Sequence, residues 1–192
     1  ASQGPEVLMG QRGAEAVFMP SKFVFPGGGV DLGDGVAGLN DLPGPGLLSD
    51  LCARRLTLML PENAPSPAAL VAAARRELLE ETGQRLGPSG LTPSLRFVFR
   101  AITPPGRSRR FDARFFLANA ASLETDPEDF RAASDELQHL RWLTLPDARA
   151  LDLPFITEVV LAETAALLAG RDQPGVPFFD NCGPAPMFRR IS

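Results

Sequence analysis

Arg76-Glu77-Leu78-Leu79-Glu80-Glu81-Thr82-Gly83 decides how this chain is read, because it sets three carboxylates in one short run. On an α-helix advancing about 100° per residue, Glu77, Glu80 and Glu81 fall within an arc of roughly 100° and face one side. Like charges at that spacing repel. A hard divalent cation such as Mg²⁺ or Mn²⁺, which takes oxygen ligands, turns the repulsion into a site. A solvated acidic face, with Arg75 and Arg76 as counter-charges, is the other reading of the same residues. Ser66 suits an N-cap, Pro67 the first helical position and Gly83 a left-handed C-terminal cap, so a helix is predicted from about Pro67 to Thr82. Val71, Leu78 and Leu79 are expected to be its buried face, with the carboxylates turned to water and metal.

Upstream, Phe25-Pro26-Gly27-Gly28-Gly29-Val30-Asp31-Leu32-Gly33-Asp34 reads as a strand end entering a glycine-rich loop, where missing Cβ atoms let backbone groups approach a ligand. Together the two stretches resemble the box of the nudix hydrolases: Gly, five residues, Glu, seven residues, then Arg-Glu-apolar-any-Glu-Glu-any-Gly-apolar. Gly28 and Asp34 match the first part at the correct five-residue gap, with Asp34 in place of the usual Glu. Arg76 to Gly83 match the second part in full, and Gln84 replaces the closing apolar residue.

Residues 35–75 separate the halves, 41 positions where the family has seven, so an insertion of 34 splits the box. Its content, about 35–65, carries turn signals at Pro43-Gly44-Pro45-Gly46 and Pro61-Glu62-Asn63-Ala64-Pro65. Between them Leu47 to Leu60 places Leu48, Leu51, Cys52 and Arg55 at helical spacing, which predicts one short helix packed beside the active site. The insertion is expected to wall the pocket and to contribute to substrate choice, while its length alone costs little stability.

A chain of 192 residues with 44% hydrophobic content suits a single domain over 1–192. Apolar runs fall short of a bilayer span, and Ala1-Ser2-Gln3-Gly4-Pro5 lacks the order of a signal peptide, so the expectation is a cytoplasmic protein with no membrane partner. Cys52 and Cys182 have no metal-binding or disulfide spacing. A net charge of −4 argues against a nucleic-acid polymer as partner and is compatible with a small phosphorylated substrate; a homodimer stays open. Lys22 is the only lysine among 19 basic residues, an arginine excess that codon bias explains at least as well as phosphate binding.

Strands are expected at Glu6 to Arg12, Phe23 to Phe25, Leu95 to Ile102, Ala113 to Ala118 and Leu137 to Leu143, and a helix from Phe155 to Leu168 stopped near Gly170. Residues 171–192 read as an irregular, apolar tail. The resemblance, over roughly residues 6–169, implies an α/β fold: a nudix-type α/β/α sandwich with a mixed sheet. Family members open with an apolar strand ahead of the equivalent of Glu6 to Arg12; here another segment, or residues ahead of Ala1, would supply it.

The resemblance further implies hydrolysis of a nucleoside diphosphate linked to another moiety, with Mg²⁺ or Mn²⁺ as cofactor. Glu77, Glu80, Glu81 and the Gly27 carbonyl match the metal ligands, and Arg76 would orient the carboxylates. The catalytic base is either a box glutamate or Glu136, which precedes the strand holding Trp142; Glu136 is equally readable as a solvated carboxylate. His139 reads as a strand residue and Trp142 as core. Arg12 and Gly28 are candidate substrate contacts, as are Arg107, Arg109 and Arg110, which grip a phosphate or merely decorate a hairpin tip. The split box, Phe23 to Gly28 and the run Arg109 to Phe116 look like the branch of coenzyme A diphosphatases, although that group's threonine-containing stretch is not evident between Leu8 and Phe23. Nucleotide sugars, dinucleotides and nucleoside triphosphates are the alternative substrates, and a non-catalytic nucleotide-binding regulator the alternative class.

Overall fold

The computed structural model describes residues 4–35, 46–88, 92–171 and 173–192. In chain order they form β1 (Glu6–Arg12), β2 (Phe23–Val24), α1 (Asp50–Leu56), α2 (Pro67–Thr82), β3 (Leu95–Ile102), β4 (Asp112–Ala118), β5 (Leu137–Thr144), α3 (Leu145–Arg149), α4 (Phe155–Leu168), β6 (Val176–Asp180) and β7 (Met187–Ile191). Two sheets result. One is antiparallel with order β2-β1-β5, and the other is mixed with order β4-β3-β6-β7, where only β3 and β6 run parallel.

Helices cover both faces of the mixed sheet, because the β3 side chains are apolar on both sides, as a strand buried on two faces requires. Phe97 and Phe178 meet Cys52 and Leu56 of α1 and Leu70 of α2 on one face. Val98, Phe99 and Ala101 meet Val160 of α4 on the other. The irregularity in β3–β4 pairing between Phe97 and Phe99 lets both Val98 and Phe99 turn to the α4 side. Leu161 of α4 also packs on Met9 of β1 and Leu145 of α3, so one helix ties the two sheets together. The β1–β5 pairing shifts register between Met9 and Gln11; there Gly10 lies against Leu137 and Leu140, and exposed His139 takes a left-handed φ of 53°. No helix among the described residues is long and apolar enough to cross a membrane.

Two expectations need correction. The tail is not irregular: β6 and β7 form a hairpin, and β6 joins β3 through Arg100–Phe178 and Ala101–Phe179. The insertion does contain one short helix, capped by the Ser49 hydroxyl accepting from the Cys52 N–H, but α1 is a core element rather than an appendage beside the site. It meets α2 at Leu70, seven residues and roughly 10 Å of helix rise from Glu77. The expected Pro43-Gly44-Pro45 turn lies outside the described residues.

Candidate active site

Helix α2 carries the acidic run, and both of its ends are fixed as the sequence predicts. The Ser66 hydroxyl accepts from the Ala69 N–H at 3.1 Å, and Gly83 closes the helix at φ 74°, its N–H donating to the Leu79 carbonyl. The buried face differs from expectation at two positions. Leu79 is exposed, whereas Glu81 is only 2% exposed. Leu79 and Glu81 lie on nearly opposite sides of the helix, and the side that packs is the one bearing Glu81.

The glycine loop and Arg76 organise the carboxylates. Arg76 has five N–H donors and all five are used. Its Nε and Nη2 clasp both oxygens of Asp34 at 2.9 Å, Nη2 also donates to the Gly29 carbonyl at 2.9 Å, and Nη1 reaches Glu77 at 2.9 Å and Glu80 at 3.0 Å. Asp34 is buried at the end of a 3-10 turn, Leu32–Asp34, and accepts from the Asp31 N–H as well. These bonds, those from Arg76 foremost, hold its carboxyl below the usual range, and bonding to Asp34 raises the Arg76 guanidinium in turn. A shorter Asp in place of the usual Glu is therefore fully engaged. A Cβ on Gly28 would stand 2.3 Å from Glu77 Oε1, so any side chain there would push the Glu77 carboxylate aside.

The Gly27 N–H donates to Glu81 Oε2 at 2.6 Å. Burial nevertheless pushes Glu81 up to about 7, opposed by that bond and by Arg12 and reinforced by the charges of Glu77 and Glu136. Burial also raises Glu77, with Arg76 opposing and Glu80 and Glu136 adding. Glu136, exposed just ahead of β5, is thus electrostatically part of the cluster, as is Arg12 at the end of β1, whose buried Nε has no partner among the described residues. The segment leading to Glu136 is fastened to α2: Ser134 N–H donates to the Glu80 carbonyl at 2.8 Å, and Ala132 packs on Gly83.

Gln84 explains its own departure from the box. It is fully buried, its amide donating to the carbonyls of Asp126 and Asp129 and accepting from the Thr125 hydroxyl, so a polar anchor replaces an apolar one. Trp142 is half-buried rather than core, its indole N–H donating to the Pro127 carbonyl on the same segment.

Glu77, Glu80, Glu81, Arg76, Gly27, Gly28, Arg12 and Glu136 are therefore gathered around one end of α2. Among the described residues no hydrogen bond or ion pair joins Arg107, Arg109 or Arg110 to them; Arg107 and Arg109 are exposed on the β3–β4 turn, and Arg110 donates to the carbonyls of Thr103 and Asn181. The hard oxygen donors suit a divalent cation. As arranged, Glu77 and Glu80 turn to Arg76 and Glu81 to Gly27, and no three such side chains among the described residues already converge on one point. Burial is the main cause that raises Glu77 and Glu81, and a dication would relieve the smaller part that comes from their carboxylate neighbours.

Two groups were missed from sequence. Asp34 as the main partner of Arg76 is visible only once the loop folds onto α2. Arg100, buried in β3, had a signal in its position amid an apolar strand.

Comparison with known proteins gives a consistent result. A scan against protein-family models matches the NUDIX domain over residues 60–163, more than half of the chain. A search of curated proteins finds no match. Among solved structures, the chain is similar to one described as the crystal structure of a NUDIX hydrolase from Alicyclobacillus acidocaldarius, at 24% identity and a TM-score of 0.58, covering 90% of each chain. That likeness bears on the fold.

Proposed function

This chain belongs to the NUDIX family and is a hydrolase, and from that premise we propose that it cleaves the diphosphate of a nucleoside diphosphate linked to another moiety, in a reaction that depends on Mg²⁺ or Mn²⁺. The observation that carries the reading is the Arg76 clasp, which presents Glu77 and Glu80 beside buried Glu81 and the glycine loop. Glu77, Glu80 and Glu81 would hold the cation, with the Gly27 carbonyl as a backbone ligand. The cation would neutralise the diphosphate, lower the pKa of a bound water and stabilise the leaving oxygen.

The chain's own residues do the rest. Arg76 keeps two carboxylates in fixed rotamers. Arg12, which forms no ion pair among the described residues, would supply positive charge to a phosphate oxygen. A box glutamate or Glu136 would serve as the proton acceptor; Glu81 is the buried candidate and Glu136 the one open to solvent.

Coenzyme A or an acyl-coenzyme A is the substrate we place first, on the box split by an insertion and the aromatic-arginine run Arg109 to Phe116. The missing threonine-containing stretch favours a second specificity among nucleotide sugars, dinucleotides or nucleoside triphosphates. Chromatography of products from coenzyme A, ADP-ribose, NADH and deoxynucleoside triphosphates decides between them. Cleavage of coenzyme A in its diphosphate, faster than that of the others, supports the first; preference for any other overturns it.

A further inference from the structure

A cleft of about 420 Å³ opens between the end of the insertion, the tip of the β3–β4 hairpin and the C-terminal hairpin, and none of the glutamate cluster lines it. Its volume is that of a small-molecule site. Leu60, Pro61, Ile102 and Phe111 give it apolar walls, and Arg100 and Arg110 stand in it.

The charges around it do not balance. Arg100 is buried, stacked on the Phe178 ring at 4.4 Å, and clasps Asp112 with Nε at 2.8 Å and Nη2 at 2.7 Å. Its cross-strand neighbour Arg114, with a side chain only 4% exposed, reaches the same carboxylate at 3.0 Å, its Nε and Nη2 lacking an aligned acceptor among the described residues. Burial first, and then the Arg100 charge, depress the Arg114 guanidinium against the pull of Asp112. Asp180, the second carboxylate at the cleft, is engaged by Arg189 at 3.3 Å. Among the described residues Arg110 meets backbone carbonyls alone, through Nε and Nη2, and its Nη1 donors are uncommitted. Two buried guanidinium groups, those of Arg100 and Arg114, thus share the Asp112 carboxylate, and exposed Arg110 stands beside them in an apolar cleft, an arrangement that favours an added anion.

We propose that this cleft is a second binding site, for a small molecule joining a phosphate or carboxylate to a flat or apolar body. The anion meets Arg110, whose planar fork suits both groups, and the body lies against Phe111, Leu60 and Ile102. Such a group belongs either to the far end of the hydrolysed substrate or to a separate ligand.

Met59 lines the cleft, and the chain has four methionines, so methyl-labelled methionine gives a local signal in the full chain under Mg²⁺ without reading hydrolysis. Phenyl phosphate or benzoate should move the Met59 signal saturably with a Kd below about 1 mM. Benzyl alcohol should leave it in place, and Arg110→Gln should weaken binding about tenfold by removing a charged hydrogen bond. Leu60→Trp, which fills the cleft, should abolish the response while the signals of Met9, Met19 and Met187 report an intact fold. A Met59 signal indifferent to both anions, or moved equally by benzyl alcohol or in Arg110→Gln, overturns the proposal. In Leu60→Trp a raised KM for the cleaved diphosphate assigns the site to the substrate's far end; an unchanged KM assigns it to a separate ligand.

Discussion

Arg76 links four acceptor residues through one guanidinium, and a point charge cannot reproduce that geometry. Arg76→Lys should lower kcat by about 10- to 100-fold, as loss of a ligand-orienting partner does, while circular dichroism stays native; full activity would reduce Arg76 to a surface ion pair. Glu80→Gln and Glu81→Gln should lower kcat by about two orders of magnitude or more without unfolding the chain. A fully active double variant would make the run an acidic surface, and Glu136→Gln tests the alternative base. Glu81 also makes a signed prediction about stability. Its pKa rises from 4.5 to about 7 on folding, so between those values the unfolded chain releases a proton that the folded chain keeps. Stability contributed by this group is present below pH 4.5 and is lost as pH rises to about 7, by at most about 3 kcal/mol. Denaturant titration in a chelator should show this loss, and Glu81→Gln should flatten it; a loss in the opposite direction would contradict the burial of an ionisable Glu81.

Among the elements, α2 was legible to the residue because its signals are local: a Ser-Pro start, a glycine stop and three glutamates within one turn. The C-terminal hairpin was not, because the partner of β6 is β3, far away in sequence, and Pro177 argues against an inner strand. β6 is inner all the same, since its pairing with β3 uses Phe178 and Phe179 and leaves Pro177 out. The insertion was half legible. Its helix was readable from spacing and its destination was not, so the expectation that its length costs little holds only outside α1. Leu56 is 1% exposed among Phe97, Leu70 and Phe178. Leu56→Ala should therefore cost about 2–5 kcal/mol in denaturant unfolding. A cost below about 1 kcal/mol, within the range of surface changes, would place α1 outside the core. Gly28→Ala separates loop from fold: the atoms nearest a Cβ there all belong to the flexible Glu77 carboxylate, so activity should fall with stability nearly kept.

At the scale of the whole molecule, the candidate site is assembled by segments that only the fold brings together. The loop at Gly27 to Asp34, the end of α2, the end of β1 and the segment before β5 converge there, and the burial that lifts Glu81 belongs to none of them alone. Residue types and box spacing announced the cluster from sequence; the inward turn of Glu81 and the service of Asp34 to Arg76 are products of packing. The chemistry we propose for this cluster is hydrolysis of a diphosphate with a bound divalent cation. Its most direct test is the rate of product formation from a diphosphate-linked nucleoside before chelation, after exhaustive chelation, and after restoring Mg²⁺ or Mn²⁺. Turnover should vanish on chelation, return with either cation, and not return in Glu80→Gln combined with Glu81→Gln. Undiminished turnover in the chelated protein would contradict it.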